Sequence, residues 1–233
     1  MGKTTLKPTL WRTCRVLMNE VRLRLLWAVV TNNDSLNVTD IARLLGIGQP
    51  AATVGLRALQ SRGLIGVRRE RYSVFYNLQT DRSLPEATEL RDAFVRYFET
   101  TELDDEWPVR MMTLLKGFTH FNRLAMLRRL SKGEATKAAL EKASGVVVKT
   151  LEHHLLLFKR AGLVDMRTDE KGIAYYRLIP QEHPVAQELL RQTLGGKLTY
   201  FNAATGCEND LRLLHDKHGN SGFVEKKNPP IYD

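Results

Sequence analysis

The chain is short of most of the residues and patterns that carry chemistry. Its two cysteines, Cys14 and Cys207, are isolated and far apart in 233 residues, which excludes a disulfide framework and a Cys-x-x-Cys ligand pair. Cys207, His215 and His218 form the one loose thiol–imidazole cluster, and their spacing fits no zinc pattern, so no metal and no cofactor are expected. No apolar run approaches the roughly 20 residues that cross a bilayer. The N-terminus (MGKTTLKPTLWRTCR) also lacks the unbroken apolar core of a secretory signal, and together these absences predict a cytoplasmic protein. There is no phosphate-cradling glycine loop, no His-Glu-x-x-His, no Gly-x-Ser-x-Gly and no acid–base pair at a distinctive spacing, so the expectation is a protein that is not an enzyme. Acidic side chains are the minority charge. Against 35 Lys and Arg stand 26 Asp and Glu, a formal net charge of +9, which favours a polyanionic partner such as nucleic acid.

What the chain does have is a repeat. Residues 41–65 (IARLLGIGQPAATVGLRALQSRGLI) return 99 positions later as residues 140–164 (LEKASGVVVKTLEHHLLLFKRAGLV). Four positions are identical: Gly46/Gly145, Leu56/Leu155, Gly63/Gly162 and Leu64/Leu163. The positions that should face a core stay apolar, as at Ile41/Leu140, Ile47/Val146, Ala52/Leu151, Leu59/Phe158 and Ile65/Val164. A repeat kept in its buried pattern and lost on its surface predicts a duplicated fold with two diverged faces. The match extends upstream through Arg22-Leu23 and Arg123-Leu124, and downstream through Tyr76/Tyr176, Leu78/Leu178 and Pro85/Pro184. The expected organisation is one domain over 1–105, a second over 106–203, and a C-terminal helix with a mobile tail over 204–233.

Within the first copy, EVRLRLLWAVV (20–30) places Val21, Leu25, Leu26, Val29 and Val30 on one helical stripe behind an Asn19 cap. Asn37 is placed to cap a helix through Leu45, with Asp40 as a capping-box partner, and Gly46 ends it. Pro50 opens a second helix, whose Ala52, Leu56 and Leu59 point inward and whose Gln49, Ala51, Thr53 and Arg57 point outward. Beyond Gly63 the pattern becomes two strands, LIGVRR and YSVFYNL, joined by a tight turn at Glu70-Arg71.

Three helices followed by a hairpin predict a winged helix, a helix-turn-helix variant whose second paired helix enters the major groove. The fold class expected is therefore mainly α with small β-hairpins, built as two tandem winged helices. At NEVRLRLLWAV, DIARLLGIGQPAATVGLRALQSRGLI and RRERYSVFYNL in copy one, the chain resembles the ArsR family of bacterial transcriptional regulators. Copy two shows the same resemblance at HFNRLAMLRRL, KTLEHHLLLFKRAGLV and EKGIAYYRL. The family works as homodimers of single winged helices, so the resemblance implies that this tandem chain is an intramolecular pseudo-dimer. Its implied seam lies between residues 9–18 with 84–100 and residues 109–118 with 184–201, with Phe94, Tyr97 and Phe98 either at that seam or capping their own domain. Many members sense metals through a Cys-x-Cys element, and the matching stretch here, ARLLGIG, has no thiol.

Duplex DNA is the expected partner. In copy one Gln49 and Thr53 are the candidate base readers, while Arg57, Arg62 and the wing residues Arg68, Arg69 and Arg71 are the candidate phosphate contacts. Copy two offers Lys149, Thr150 and His153 on the helix, Lys159 near its end, and Arg167 and Lys171 on the wing. Its Val146-Val147-Val148 start is unexpectedly apolar for a DNA face, and Asp165, Asp169 and Glu170 offset its wing cations. The leading expectation is a DNA-binding repressor. The alternative is a winged-helix protein-interaction scaffold of the kind used in chromosome segregation or replication initiation.

Overall fold

The computed structural model describes residues 9–32, 36–70, 73–78 and 84–195, together with the backbone of three strands between 198 and 225. The chain divides into two compact units, Met1–Phe121 with Gln181–Leu189, and Asn122–Pro180 with Leu190–Asp233. The first is mainly helical with one two-stranded antiparallel sheet, and the second combines helices with two three-stranded antiparallel sheets.

The first unit runs α1 (Leu10–Leu17), α2 (Glu20–Thr31), α3 (Val38–Leu44), α4 (Gln49–Gln60), β1 (Gly66–Glu70), β2 (Ser73–Asn77), α5 (Pro85–Thr100) and α6 (Trp107–Lys116). Local chemistry sets most of these boundaries. The Asn19 side chain accepts from the Arg22 N–H at 3.0 Å, and Asn37 accepts from the Thr39 and Asp40 N–H groups at 2.8 and 3.1 Å. Asp40 closes no capping box and instead pairs with Arg43 at 3.3 Å. Gly46 leaves α3 at φ +63°, a left-handed turn that a residue with a Cβ resists.

Helix α2 is the centre of this unit. Leu23, Leu25, Leu26, Ala28 and Val29 are buried around much of its circumference, because α1, α3, α4, α5, α6 and β2 all pack on it. It meets α4 closely at Gly55, where a Cβ would collide with Leu25 Cδ1. Ala52, Leu56 and Leu59 of α4 are fully buried as the spacing predicts, so the opposite face of α4 is held toward solvent.

The second unit continues with α7 (Phe121–Leu130), β3 (Ala135–Thr136), α8 (Lys137–Ser144), α9 (Val148–Arg160), β4 (Val164–Thr168) and β5 (Ala174–Leu178), before α10 (Pro184–Thr193) carries the chain through the first unit as far as Leu189. Its core takes Leu140, Leu151, Leu155, Phe158, Leu163 and Val164. Strand β5 lies between β3 and β4. The duplication holds at the level of register. Arg68 pairs with Phe75 and Val67 with Tyr76, and the equivalent rungs are Arg167 with Tyr175 and Met166 with Tyr176. The bridge between Asn37 and Phe75 likewise returns as the Thr136–Tyr175 rung of β3.

At the C-terminal end the expectation of helix is corrected. Helix α10 stops at Thr193, Gly195 turns left-handed at φ +73°, and the chain then runs as strands β6 (Leu198–Asn202), β7 (Cys207–His215) and β8 (Ser221–Glu225) in the order β6-β7-β8. The alternation Leu211-Arg212-Leu213 suits a strand, and β7 pairs along both edges, which satisfies backbone groups that an isolated helix would have to satisfy within itself. The mobile tail expected over residues 219–233 thus includes strand β8, and its other residues lie outside the described ones, as does Gly196.

Candidate nucleic-acid interface

Gln49, Thr53 and Arg57 follow one another at successive turns of α4 and form a stripe on its outer side. Gln49 and Arg57 are exposed and Thr53 is half-buried. Thr39, at the start of α3, accepts from the Gln49 amide at 3.2 Å and so orients it without covering it. The Thr53 hydroxyl donates to the Gln49 carbonyl at 2.9 Å, which leaves only its lone pairs for an outside donor. Val54 stands exposed beside the stripe, a residue the sequence pattern did not single out. An apolar side chain on such a face suits the methyl of thymine.

On the hairpin, alternation sends Val67, Arg69, Val74 and Tyr76 to one face and Arg68 and Phe75 to the other. The two arginines consequently differ. Arg68 donates to Glu70 and lies over the Phe75 ring at 5.2 Å, so its charge is already engaged. Arg57 and Arg69 pair with no carboxylate among the described residues. The fields of both reach the Tyr76 phenol: burial pushes that phenol above its ordinary pKa, and the two guanidinium groups oppose the shift. Arg62 lies just past α4, half-buried, with its Nε unpaired among the described residues. Arg71 and Tyr72 lie outside the described residues.

The equivalent face of the second unit has other chemistry. Lys149, Thr150 and His153 are exposed on α9, and Lys159 is exposed near its end. At the positions of Gln49, Thr53 and Arg57, however, stand Val148, Glu152 and Leu156. Val147, Val148 and Leu156 are 68%, 50% and 46% exposed. Glu152 is closed by Lys137 Nζ at 2.6 Å, a contact that holds the lysine above its usual pKa. Arg167 forks onto both oxygens of Glu134 at 2.6–3.0 Å and covers Tyr175, and its hydrogen bonds keep the Glu134 carboxyl below the usual range. Lys171 sits exposed on a turn that Asp169 closes by accepting from the Lys171 and Ile173 N–H groups at 2.9 and 2.8 Å. The Glu134 clamp spans 33 residues, so no local pattern announces it.

Phe94, Tyr97 and Phe98 are buried in an aromatic cluster within the first unit. Phe98 meets the Trp107 ring edge-on at 5.3 Å, and Tyr97 stacks on His183 at 4.6 Å. Helix α6 packs on α1 and α2. The residues that the repeat assigns to the flanks of both copies thus contact one another inside one unit. Burial pulls the His183 pKa below its ordinary value.

Among the described residues, no group of three or more His, Cys, Asp or Glu is gathered in a way that could hold a metal ion, and no helix is long and apolar enough to cross a membrane. No family model matches the chain, and no curated protein matches its sequence.

Proposed function

We propose that this chain is a DNA-binding transcriptional regulator, built from two winged-helix modules, that represses by occupying promoter DNA. The observation that carries this reading is the outer face of α4. Gln49, Thr53 and Arg57 share a stripe, and Arg57 and Arg69 carry charge that no carboxylate among the described residues offsets. A glutamine held outward can pair bidentately with adenine, and Val54 can meet a thymine methyl. Two uncompensated guanidinium groups, one on the helix and one on the hairpin, suit phosphates on either side of such a base contact. The three-helix-plus-hairpin order, its recurrence in the second unit and the net charge of +9 all agree with the assignment.

The pseudo-dimer belongs to the same proposal. Its support is the packing of α6 against α1 and of His183 against Tyr97, which brings flanking segments that the repeat assigns to both copies together within the first unit.

A fluorescence-anisotropy titration of the full chain against duplex DNA tests the reading. With about six phosphates neutralised, log K should fall against log salt with a slope near −5. A flat response ends it. The rival assignment, a protein-interaction scaffold, draws on the exposed Val147, Val148 and Leu156 of the second unit, and it requires the first-unit arginines to be dispensable for duplex affinity.

A further inference from the structure

Resting on the DNA-binding reading, we infer that base readout is one-sided: the first unit alone reads sequence, and the recognised site is a single half-site rather than a palindrome. Duplication would ordinarily equip both modules for the same groove. Here each member of the reading stripe has been replaced at its equivalent position, Gln49 by Val148, Thr53 by Glu152 and Arg57 by Leu156, and the wing arginine Arg69 by Thr168. The core positions between them keep their burial, with Ala52, Leu56 and Leu59 matched by Leu151, Leu155 and Phe158. The scaffold is kept and the reader is gone.

The replacements act against a groove in two ways. Val148 and Leu156 leave base-edge donors and acceptors without partners once water is displaced, so docking them there is unfavourable. Glu152 is committed to Lys137 at 2.6 Å, and bringing it to the duplex adds a carboxylate to a field of phosphates. The wing of the second unit is closed in the same manner. Arg167 is forked onto Glu134, and Arg177 donates to Asp165 at 3.0 Å across the hairpin. Among the cations left exposed there, Lys149, Lys159 and Lys171 are flexible point charges that can neutralise phosphates without specifying a base, and Arg160 stands at the C-terminal end of α9, away from the N-terminal turns that meet base edges.

Selection of bound fragments from a random duplex pool, using the full chain, tests this directly. The expected consensus is one contiguous, non-repeated half-site. The double variant Arg57→Ala/Arg69→Ala should lose about tenfold in affinity at physiological salt and about two units of salt slope, and Arg57→Lys/Arg69→Lys should recover the slope. The variant Lys149→Ala should weaken binding and reduce the salt slope by about one, with the same consensus selected. The graft Val148→Gln/Glu152→Thr/Leu156→Arg/Thr168→Arg should convert it to a consensus with two half-sites. Two inverted half-sites selected by the unaltered chain would overturn the inference while leaving DNA binding intact. Absence of any salt-dependent binding by the unaltered chain would remove the DNA reading itself and this inference with it.

Discussion

The guanidinium carbon of Arg167 lies 4.9 Å from the centre of the Tyr175 ring, directly across one rung of the β4–β5 hairpin. The same relationship holds between Arg68 and Phe75 in the first unit, at 5.2 Å and in the same register. A cross-strand cation–aromatic pair kept in both copies, each time with a carboxylate on the arginine, is a hairpin brace. It separates the hairpin arginines by role under the proposed DNA-binding function.

Arg68→Ala should therefore change duplex affinity by less than about twofold, because its charge is spent on Glu70 and Phe75. Arg69→Ala should weaken binding severalfold and reduce the salt slope by about one. Anisotropy titrations of the two single variants at three salt concentrations give the comparison, and an equal loss from both would contradict the brace.

Gly55 marks a close contact between α4 and α2 in the first unit. Gly55→Ala drives its new methyl into Leu25 Cδ1, and both partners are fully buried, so the expected cost is about 1–3 kcal/mol despite the better helix propensity of alanine. Leu25→Ala alone should cost about 2–5 kcal/mol by leaving a cavity. The double variant should cost less than the sum, because the added methyl occupies part of that cavity. Urea denaturation of the four chains supplies the cycle, and strict additivity would contradict the close approach.

His183 gives the fold a pH dependence of definite sign. Its pKa in the folded chain lies below the unfolded value, chiefly through burial, where it stacks on Tyr97. The unfolded chain therefore binds the proton first. The stability associated with neutral His183 is complete above about pH 6.5 and falls as pH drops toward and through the folded pKa. The urea midpoint should decline from pH 7.5 to pH 5.5, and His183→Phe, which keeps a ring against Tyr97, should flatten that decline. An unchanged slope in the variant would assign the effect elsewhere.

Cys14 is fully buried on α1, and burial pushes its thiol far above the ordinary range. Since the thiolate is the reacting species, a Cys207→Ser chain should show no fast thiol labelling when native and one reactive thiol in denaturant. Rapid native labelling would mean that α1 is not held against the unit as described.

Much of the fold was legible because its signals are local. Asn19, Asn37, Pro50 and Gly46 mark helix ends through their own backbones, and the apolar spacing of Ala52, Leu56 and Leu59 names the buried side of α4 with no knowledge of what covers it. The C-terminal strands were not legible, since pairing along both edges of β7 is a non-local gain that competes with helix only after its neighbours arrive. The candidate site was legible in its residue types and not in their availability. Arg68, Arg69 and Arg167 look alike along the chain; Glu70, Phe75 and Glu134 decide which of them keeps its charge for another molecule.

The amino-acid order by itself determined the duplication, the helix and hairpin order through the repeat, the buried stripe of α4 and the excess of positive charge, because each follows from neighbours a few residues apart or from a simple sum. On α2 the expected stripe included Val21 and Val30, which are half-buried, while Leu23 and Ala28 are buried. Tertiary structure alone decided that α2 is enclosed by six elements, that Trp107 and His183 close on Phe98 and Tyr97, and that Glu134 and Lys137 close off the second unit's face. Those outcomes depend on groups far apart in the chain meeting at about 3–6 Å, and a charge or ring is committed only when its partner is within that reach.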